Sequence, residues 1–313
     1  MLKVYAATIT IIVLFGVNFF LVFKNSQEEV PLVSLLSEQN STTISGQAYI
    51  LPIAGPNYIP ILDSSLSPPS VGAKSAVLYD TRSSRFLFEK NSEIKLPVAS
   101  LTKIMNAVVV MENLNLDDIV TIYEGSIKVD GEKQELYLGE KISVRNLLKL
   151  ALIESSNDAA FALANYAKEM GIDFIGAMNK KAGALGMTDS YFIDPAGLDD
   201  RAYSTAQDLI KLVEYSLKYG EVWDISSEKT AIVESSDERI KHTATSTNRL
   251  LGLVKDIIGG KTGYTEGAGQ CMILVTSVHD YPSKIISVVL GSNDRFGDTQ
   301  KLIDWSQQAY KWK

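Results

Sequence analysis

The sequence predicts an α+β fold, in which an antiparallel sheet is flanked by helices and carries a mainly helical lobe. Strand-like runs rich in Val, Ile and Leu occur near residues 75–90 and again at 270–290, and helical patterns fill most of the residues between them. Strands and helices do not alternate as they would in a parallel βαβ fold. An uncharged N-terminal stretch adds one predicted transmembrane helix in front of this domain.

The N-terminal stretch runs from Val4 to Phe23 and contains no charged residue. Its length of about 20 residues matches a helix that spans a bilayer. No Ala-x-Ala cleavage site follows it, which favours a retained anchor over a cleaved signal peptide, although either would export the chain. We therefore expect a single-pass protein of the cell membrane, with its folded domain on the extracytoplasmic side.

Three segments follow from this organisation. Residues 1–24 form the anchor or uncleaved signal, residues 25–72 form a stalk, and residues 73–313 form the folded domain. The stalk has no sustained period and contains turn-forming pairs such as Gly55-Pro56 and Pro68-Pro69. Its apolar patches at 51–53 and 59–62 would allow it to dock on the domain.

The domain elements can be predicted in order. Residues 75–80 and 85–90 are predicted to form a strand hairpin around a polar turn. Pro97 suits the approach to a helix that begins near Ser100. Residues 112–218 are mostly helical in pattern, and Ser204 or Thr205 is the expected N-cap of one of these helices. The other predicted helices are 144–153, 158–168, 174–185 and 299–310, and the later strands are 270–278 and 284–290.

Composition excludes several classes of function. The net charge of −7 argues against a nucleic-acid partner, which requires a basic face. Cys271 is the single cysteine, so no internal disulfide forms. The two histidines, His242 and His279, are far apart in sequence, and no Cys/His cluster has metal-ligand spacing. We expect neither a metal nor a cofactor.

Ser100 and Lys103 lie three residues apart at a predicted helix start, which places both side chains on one face. A serine becomes a good nucleophile when a base takes its proton, and a neutral lysine can serve as that base. Burial and a second cation, such as Lys261, both favour the neutral form. The alternative is an N-cap serine followed by a solvated lysine. Ser226 and Lys229 repeat the same spacing, so the motif alone is weak.

Two further motifs follow in the chain. Ser155 and Asn157 come directly after an apolar helix, where Ser155 could pass a proton and Asn157 could contact both substrate and lysine. Lys261, Thr262 and Gly263 follow two glycines and resemble an edge strand that can pair with a peptide substrate. The respective alternatives are a capping turn between helices and a plain β-turn with a surface lysine.

The three motifs in this order resemble those of the serine D-alanyl-D-alanine carboxypeptidases, the low-molecular-mass penicillin-binding proteins. The resemblance runs from residue 75 to about residue 305. The matching stretches are 96–105, 155–160, 178–182, 185–187, 194–199, 203–206 and 260–265.

The resemblance implies a role for each site residue. Ser100 would be the acylated nucleophile and Lys103 its base. Ser155 and Asn157 would line the site, and Lys261 would orient the substrate electrostatically beside Gly263. The backbone N–H groups of Ser100 and Tyr264 would form the oxyanion hole. Thr262 and Arg295 would hold the terminal carboxylate of the substrate, although Arg295 lies in a loop where a surface salt bridge is the alternative.

The resemblance further implies peptidoglycan stem peptides as substrates and β-lactams as covalent inhibitors. Many members of the family carry a second, β-rich domain, and some members without it cut peptide cross-links, so an endopeptidase is an alternative. A class A β-lactamase would need a Glu-x-x-x-Asn loop, and none occurs between Asp158 and Gly260. A non-catalytic peptidoglycan-binding or β-lactam-sensing protein is a further alternative. Turnover of a D-Ala-D-Ala peptide would distinguish the enzyme from the binder.

Overall fold

A five-stranded antiparallel sheet organises the described part of the chain. The computed structural model describes residues 59–127 and 136–312. Its elements, in chain order, are β1 (Pro60–Leu62), β2 (Ser75–Asp80), β3 (Arg85–Lys90), α1 (Thr102–Asn113), β4 (Ile119–Thr121), α2 (Glu124–Ile127), β5 (Lys141–Ser143), α3 (Val144–Lys149), α4 (Asn157–Glu169), α5 (Phe174–Ala184), α6 (Ala206–Ser216), α7 (Gly220–Ser227), β6 (Thr230–Glu234), β7 (Lys241–Thr245), β8 (Ile257–Thr265), β9 (Gly269–Ser277), β10 (Lys284–Ser292), α8 (Arg295–Ala309) and β11 (Tyr310–Trp312).

The strand order of the sheet is β3-β2-β10-β9-β8, and every neighbouring pair is antiparallel. Strand β8 therefore lies at an edge, as the sequence predicted for the segment that contains Lys261. The early and late strand runs of the sequence meet where β2 pairs with β10, with Val77 opposite Val288. The predicted α+β class with an antiparallel sheet is confirmed.

The two faces of the sheet contact two hydrophobic clusters. Successive side chains of a strand point to opposite faces, and β2 follows this rule because Val77 packs in the larger cluster, whereas Ala76 and Leu78 pack in the smaller one. The larger cluster includes the helices between β3 and β8. The smaller cluster lies behind the sheet, where α8 contributes the buried Leu302 and Ile303.

The predicted helices form, with shifts at their ends. Ser100 lies in a 3-10 turn, Ala99–Leu101, and the α-helix proper begins at Thr102. The apolar helix α3 continues as a π-helix, Leu150–Glu154, so it reaches one residue beyond the predicted end. Thr205 is the N-cap of α6, and its side chain accepts from Asp208 N. Helix α8 begins four residues earlier than predicted, at Arg295.

Six short strands were not predicted, among them β1 and β11 at the two ends of the described chain. Strands β4 and β5 pair within the stretch that looked helical, and β6 pairs with β7 before the motif strand β8. Strands of three to five residues offer too few positions to show a period-2 pattern.

Part of the predicted stalk contacts the domain. Strand β1 pairs with β11, which places Pro60 opposite Trp312, and Gly72 N donates to the buried carboxylate of Asp298. The apolar patch at 51–53 lies outside the described residues. So does the predicted anchor at 4–23, and across residues 59–127 and 136–312 no helix is long and apolar enough to cross a membrane.

Candidate active site

Ser100 and Lys103 are brought together by the start of α1. The 3-10 turn and the first helical turn place Lys103 Nζ 2.8 Å from Ser100 Oγ. Ala99, directly before the serine, has a φ of 48°, a left-handed conformation that a side chain rarely adopts. Backbone strain of this kind persists where the surrounding structure enforces it, and it clusters at functional sites.

Lys103 is enclosed by acceptors from three parts of the chain. Its side chain is 1% exposed, and Nζ also contacts Asn157 Oδ1 at 2.8 Å and Ala196 O at 3.2 Å. A buried amine of this kind is restricted in position, because each acceptor restrains it from a different element. Lys103 is therefore held against Ser100 Oγ, in contrast to the solvated lysine of the alternative interpretation.

The Ser155–Asn157 turn joins the π-helix to α4. Ser155 is the C-cap with a φ of 70°, while Ser156 is the N-cap of α4 and its Oγ accepts from Ala159 N. Both caps of the alternative interpretation are therefore present, with Ser155 as the C-cap and Ser156 as the N-cap, but only Ser156 caps with its side chain. The flanking side chains of Ser155 and Asn157 contact the two lysines instead.

Lys261 is the second buried lysine of the site. Its Nζ donates to Ser155 Oγ at 2.7 Å and to Thr262 O at 2.9 Å, and the residue is 1% exposed. Burial lowers the pKa of Lys261 well below its ordinary value, and the charges of Lys103 and Arg295 lower that pKa further. The surroundings therefore disfavour the protonated form of Lys261.

Strand β8 approaches the serine closely at Gly263. A Cβ at position 263 would lie 3.0 Å from both Ser100 N and Val98 O, so a side chain here would push the strand away from the nucleophile. Next along the edge strand, Tyr264 is 62% exposed. Thr262 Oγ1 lies 2.6 Å from Thr247 Oγ1, a partner that the sequence did not reveal.

Arg295 is partly buried and contacts the motif strand β8. It is the first residue of α8, and one of its terminal nitrogens, Nη1, donates to Gly263 O at 2.8 Å. Burial lowers the pKa of this guanidinium, and the nearby charge of Arg249 also lowers it. Arg295 Nε is buried without a hydrogen-bond partner in the described structure. The surface salt bridge of the alternative interpretation is absent from the ion pairs of the described residues.

The loop 194–199 braces the serine and lysine from the opposite side. The Asp194 carboxylate accepts backbone N–H groups from four following residues, Ala196, Gly197, Leu198 and Asp199. This arrangement presents Ala196 O to Lys103. Gly197 has a φ of 80°, and a Cβ there would lie 2.0 Å from Ala99 O. The sequence showed this stretch as a family match but gave it no role.

The repeated motifs do not form a second site. Ser226 is buried, its Oγ donates to Trp223 O, and Lys229 is exposed. Asn248, of the second Ser-x-Asn, accepts from Leu250 N through its own side chain and so supports a turn.

A serine with a buried lysine partner, set between a helical lobe and an edge strand, defines the class of serine DD-peptidases and their β-lactamase relatives. The sequence model of one family in that class, D-alanyl-D-alanine carboxypeptidase (Peptidase_S11), matches residues 63–294. The chain belongs to this family, and the predicted enzyme class, a serine-type D-Ala-D-Ala carboxypeptidase, is thereby confirmed.

Individual relatives show the same likeness. The chain is 31% identical over 256 residues to the D-alanyl-D-alanine endopeptidase of Pseudomonas aeruginosa, covering 77% of this chain and 82% of that protein. It is 35% identical over 265 residues to the D-alanyl-D-alanine carboxypeptidase DacC of Escherichia coli, covering 80% of this chain but 64% of that longer protein. Penicillin-binding protein D2 of Listeria monocytogenes, solved in a cefotaxime-bound form, has a TM-score of 0.66 and 31% identity, over 77% of this chain and 99% of that one.

Proposed function

We propose that this protein removes the terminal D-alanine from peptidoglycan stem peptides through an acyl-enzyme on Ser100. The observation that carries the proposal is the 2.8 Å contact between Lys103 Nζ and Ser100 Oγ in a buried setting. A nucleophile needs a base within hydrogen-bond reach, and no third side chain is needed to relay this proton.

Lys103 acts as the base in its neutral form. Two ammonium groups in one buried site repel each other, so the doubly protonated pair of Lys103 and Lys261 is disfavoured. When Lys103 is the neutral member, it takes the Ser100 hydroxyl proton as Oγ attacks the carbonyl carbon of the penultimate D-alanine. The backbone N–H groups of Ser100 and Tyr264 stabilise the oxyanion that forms.

Collapse of this intermediate breaks the peptide bond. The amine of the leaving D-alanine takes a proton that reaches it through Ser155, whose Oγ lies 2.7 Å from Lys261 Nζ. The acyl group stays on Ser100 while Lys103 passes its proton to the neutral Lys261 and so becomes a base again. Water then attacks the ester carbonyl, Lys103 takes a proton from that water, and the same proton goes to Ser100 Oγ as the ester bond breaks. Asn157 holds Lys103 through its 2.8 Å contact and restrains the amine throughout both steps.

The substrate lies along the edge of β8. An extended peptide can pair with an edge strand, and Gly263 lets it come close to Ser100. Thr262 and Arg295 bind the terminal carboxylate, since an arginine suits this acceptor. The similarity to a D-alanyl-D-alanine endopeptidase favours a second candidate function, which is cleavage of the same D-Ala bond within a peptide cross-link.

The N-terminal stretch at 4–23 anchors the protein in the cell membrane and places the catalytic domain outside the cytoplasm. Its length and lack of charge support this proposal. The location suits a substrate that lies in the cell wall. Fractionation of cells that make the full chain, or a variant lacking residues 1–24, would test it; release of the full chain with the soluble fraction would contradict it.

Two measurements test the activity. The full-length protein in detergent should release D-alanine from a peptide ending in D-Ala-D-Ala, and a fluorescent penicillin should label it covalently. Ser100→Ala should abolish both signals, whereas Ser226→Ala should keep them. Retained labelling in Ser100→Ala would refute the assignment of the nucleophile. A matched peptide with an amidated terminus should react about tenfold more slowly or worse, given the strength of a charge-assisted contact.

A further inference from the structure

A second arginine lies beside the proposed carboxylate site. Arg249 and Arg295 both line a cavity of about 360 Å³ next to Tyr264, at the end of β8. Their guanidinium carbons lie 5.7 and 5.0 Å, respectively, from the centre of the Phe296 ring. One aromatic ring thus holds two cationic groups at the mouth of the active site.

The cavity carries a net positive charge, because two arginines and one carboxylate line it. No ion pair within 4.0 Å neutralises either arginine among the described residues. Asp294 also lines the cavity, but its Oδ1 accepts from Gly297 N as the N-cap of α8. Two like charges held near one ring repel each other, so an anion placed between them would be attracted by both.

The two arginines differ in their contacts with the protein. Arg295 is bound to the motif strand through Gly263 O, and its Nε is buried without a partner in the described structure. Arg249 is exposed and has an aromatic contact with Phe296, but no carboxylate partner there. If Arg295 binds the terminal carboxylate, Arg249 is the next cation that the leaving group meets as it extends out of the site.

We propose that Arg249 determines leaving-group specificity by binding a second carboxylate. The substrate class is a peptide whose leaving residue is a D-amino acid with a further acidic group, rather than D-alanine alone. Free D-alanine has one carboxylate and would leave Arg249 without a partner. An acidic side chain, or an acidic residue farther along a longer leaving peptide, reaches it. The inference rests on the proposed function, because it concerns the same bond and the same Ser100.

Three matched peptides test the inference on the full-length protein. They end in D-Ala-D-Ala, D-Ala-D-Glu and D-Ala-D-Gln, and the last two have nearly the same shape but differ in charge. The wild type should cleave the D-Glu peptide with a kcat/KM about threefold to tenfold above the D-Gln peptide, as expected for an ion pair between the exposed and buried extremes. Added salt should reduce the ratio, since it screens an exposed charge.

Variants of Arg249 separate charge recognition from folding. Arg249→Ala should lower the Glu/Gln ratio to about one, while cleavage of D-Ala-D-Ala and labelling by penicillin stay within about twofold of wild type. Arg249→Lys should keep part of the ratio, and Arg249→Glu should reverse it. Arg239→Ala removes another exposed cation, outside the cavity, and should change nothing.

A failure of the inference about Arg249 can be distinguished from a failure of the proposed function. A Glu/Gln ratio near one in a wild type that cleaves D-Ala-D-Ala overturns the role of Arg249 and leaves the proposed function standing. Equal loss of all three peptides in Arg249→Ala indicates a structural residue and overturns the role as well. A wild type that neither cleaves any peptide nor binds penicillin overturns the proposed function, and the inference with it.

Discussion

Two buried lysines share this site, and their chemistry depends on which of them carries the proton. Lys103 contacts the serine that we propose as nucleophile, whereas Lys261 contacts Ser155. Burial lowers the pKa of Lys261 first of all, and the charge of Lys103 adds to the effect. Protonation of one lysine therefore favours the neutral form of the other. Lys103 would take the proton of Ser100 while Lys261 gives up a proton through Ser155.

The base can be tested by fixing its charge. Lys103→Arg keeps a positive group but cannot lose its proton near neutral pH. We expect acylation by a fluorescent penicillin to fall by about a hundredfold or more, the scale of a general-base contribution, in a protein that stays folded with a lower thermal midpoint, because the larger guanidinium must fit a buried site. Lys229→Arg, in the repeated Ser-x-x-Lys, is the matched control and should label normally. Labelling of Lys103→Arg within about tenfold of wild type would exclude it as the base.

The lowered pKa of Lys261 has a consequence for stability. In the unfolded chain this lysine keeps its ordinary pKa of 10.5, so between the lowered folded value and 10.5 the unfolded state binds more protons. The free energy of unfolding therefore rises with pH across that window, because protonation of Lys261 favours the unfolded state, and it falls again as pH is lowered. We expect denaturant unfolding from about pH 6 to about pH 10 to show a flatter pH dependence in Lys261→Met than in wild type. Parallel profiles would contradict the shift.

At the scale of elements, the site depends on close approaches between backbone segments. The 3-10 turn with Ser100 lies between β8, at Gly263, and the loop 194–199, at Gly197. The carboxylate of Asp194 shapes that loop through four backbone amides, and the loop places Ala196 O against Lys103. Three separate stretches of chain thus define the position of one hydroxyl group.

Gly197 and Gly186 offer a matched test of this packing. Both have a positive φ, 80° and 69°, so alanine should cost each about 1–2 kcal/mol of backbone strain. Only at position 197 would the new Cβ meet another segment, 2.0 Å from Ala99 O, while position 186 has nothing within 4 Å. We expect Gly197→Ala to have the lower thermal midpoint of the two, because the clash adds to the backbone strain, and to lose penicillin acylation even well below that midpoint, whereas Gly186→Ala should acylate normally. Normal acylation in both variants would show that the loop does not position Ser100.

These approaches also mark the limit of prediction from sequence. The strands 75–80 and 85–90 were predicted with their observed bounds, since two short apolar runs on either side of a polar turn are a local signal. The spacing of the motif predicted the contact between Ser100 and Lys103, because residues three apart lie on one face of a helix. Other features depend on tertiary packing, for which the sequence holds no local pattern. They are the contact between Thr247 and Thr262, the aromatic partner of Arg249, and the strands β4 to β7.

At the scale of the whole molecule, the sheet separates two hydrophobic clusters with different tasks. The larger cluster contains Ile104 of α1, one residue after Lys103, and continues into the helical lobe. The smaller cluster lies on the other face, where Leu302 of α8 packs with Leu78 and Leu274 of the sheet. Both Ile104 and Leu302 are fully buried, so they offer core substitutions of similar size on opposite sides of the sheet.

We expect Ile104→Ala and Leu302→Ala each to lower the free energy of unfolding by about 2–5 kcal/mol, the usual cost of the lost burial plus a cavity.

Their effects on acylation should differ when both proteins are measured well below their thermal midpoints. A cavity under α1 lets Lys103 move relative to Ser100, and an ångström of misplacement is costly in catalysis. A cavity behind the sheet leaves that geometry unchanged, because Leu302 packs on the face of the sheet opposite to the cluster that contains Ile104. Stopped-flow labelling with penicillin should therefore be slower in Ile104→Ala and near wild type in Leu302→Ala. Equal slowing at equal stability would mean that the sheet transmits strain to the site instead of isolating it.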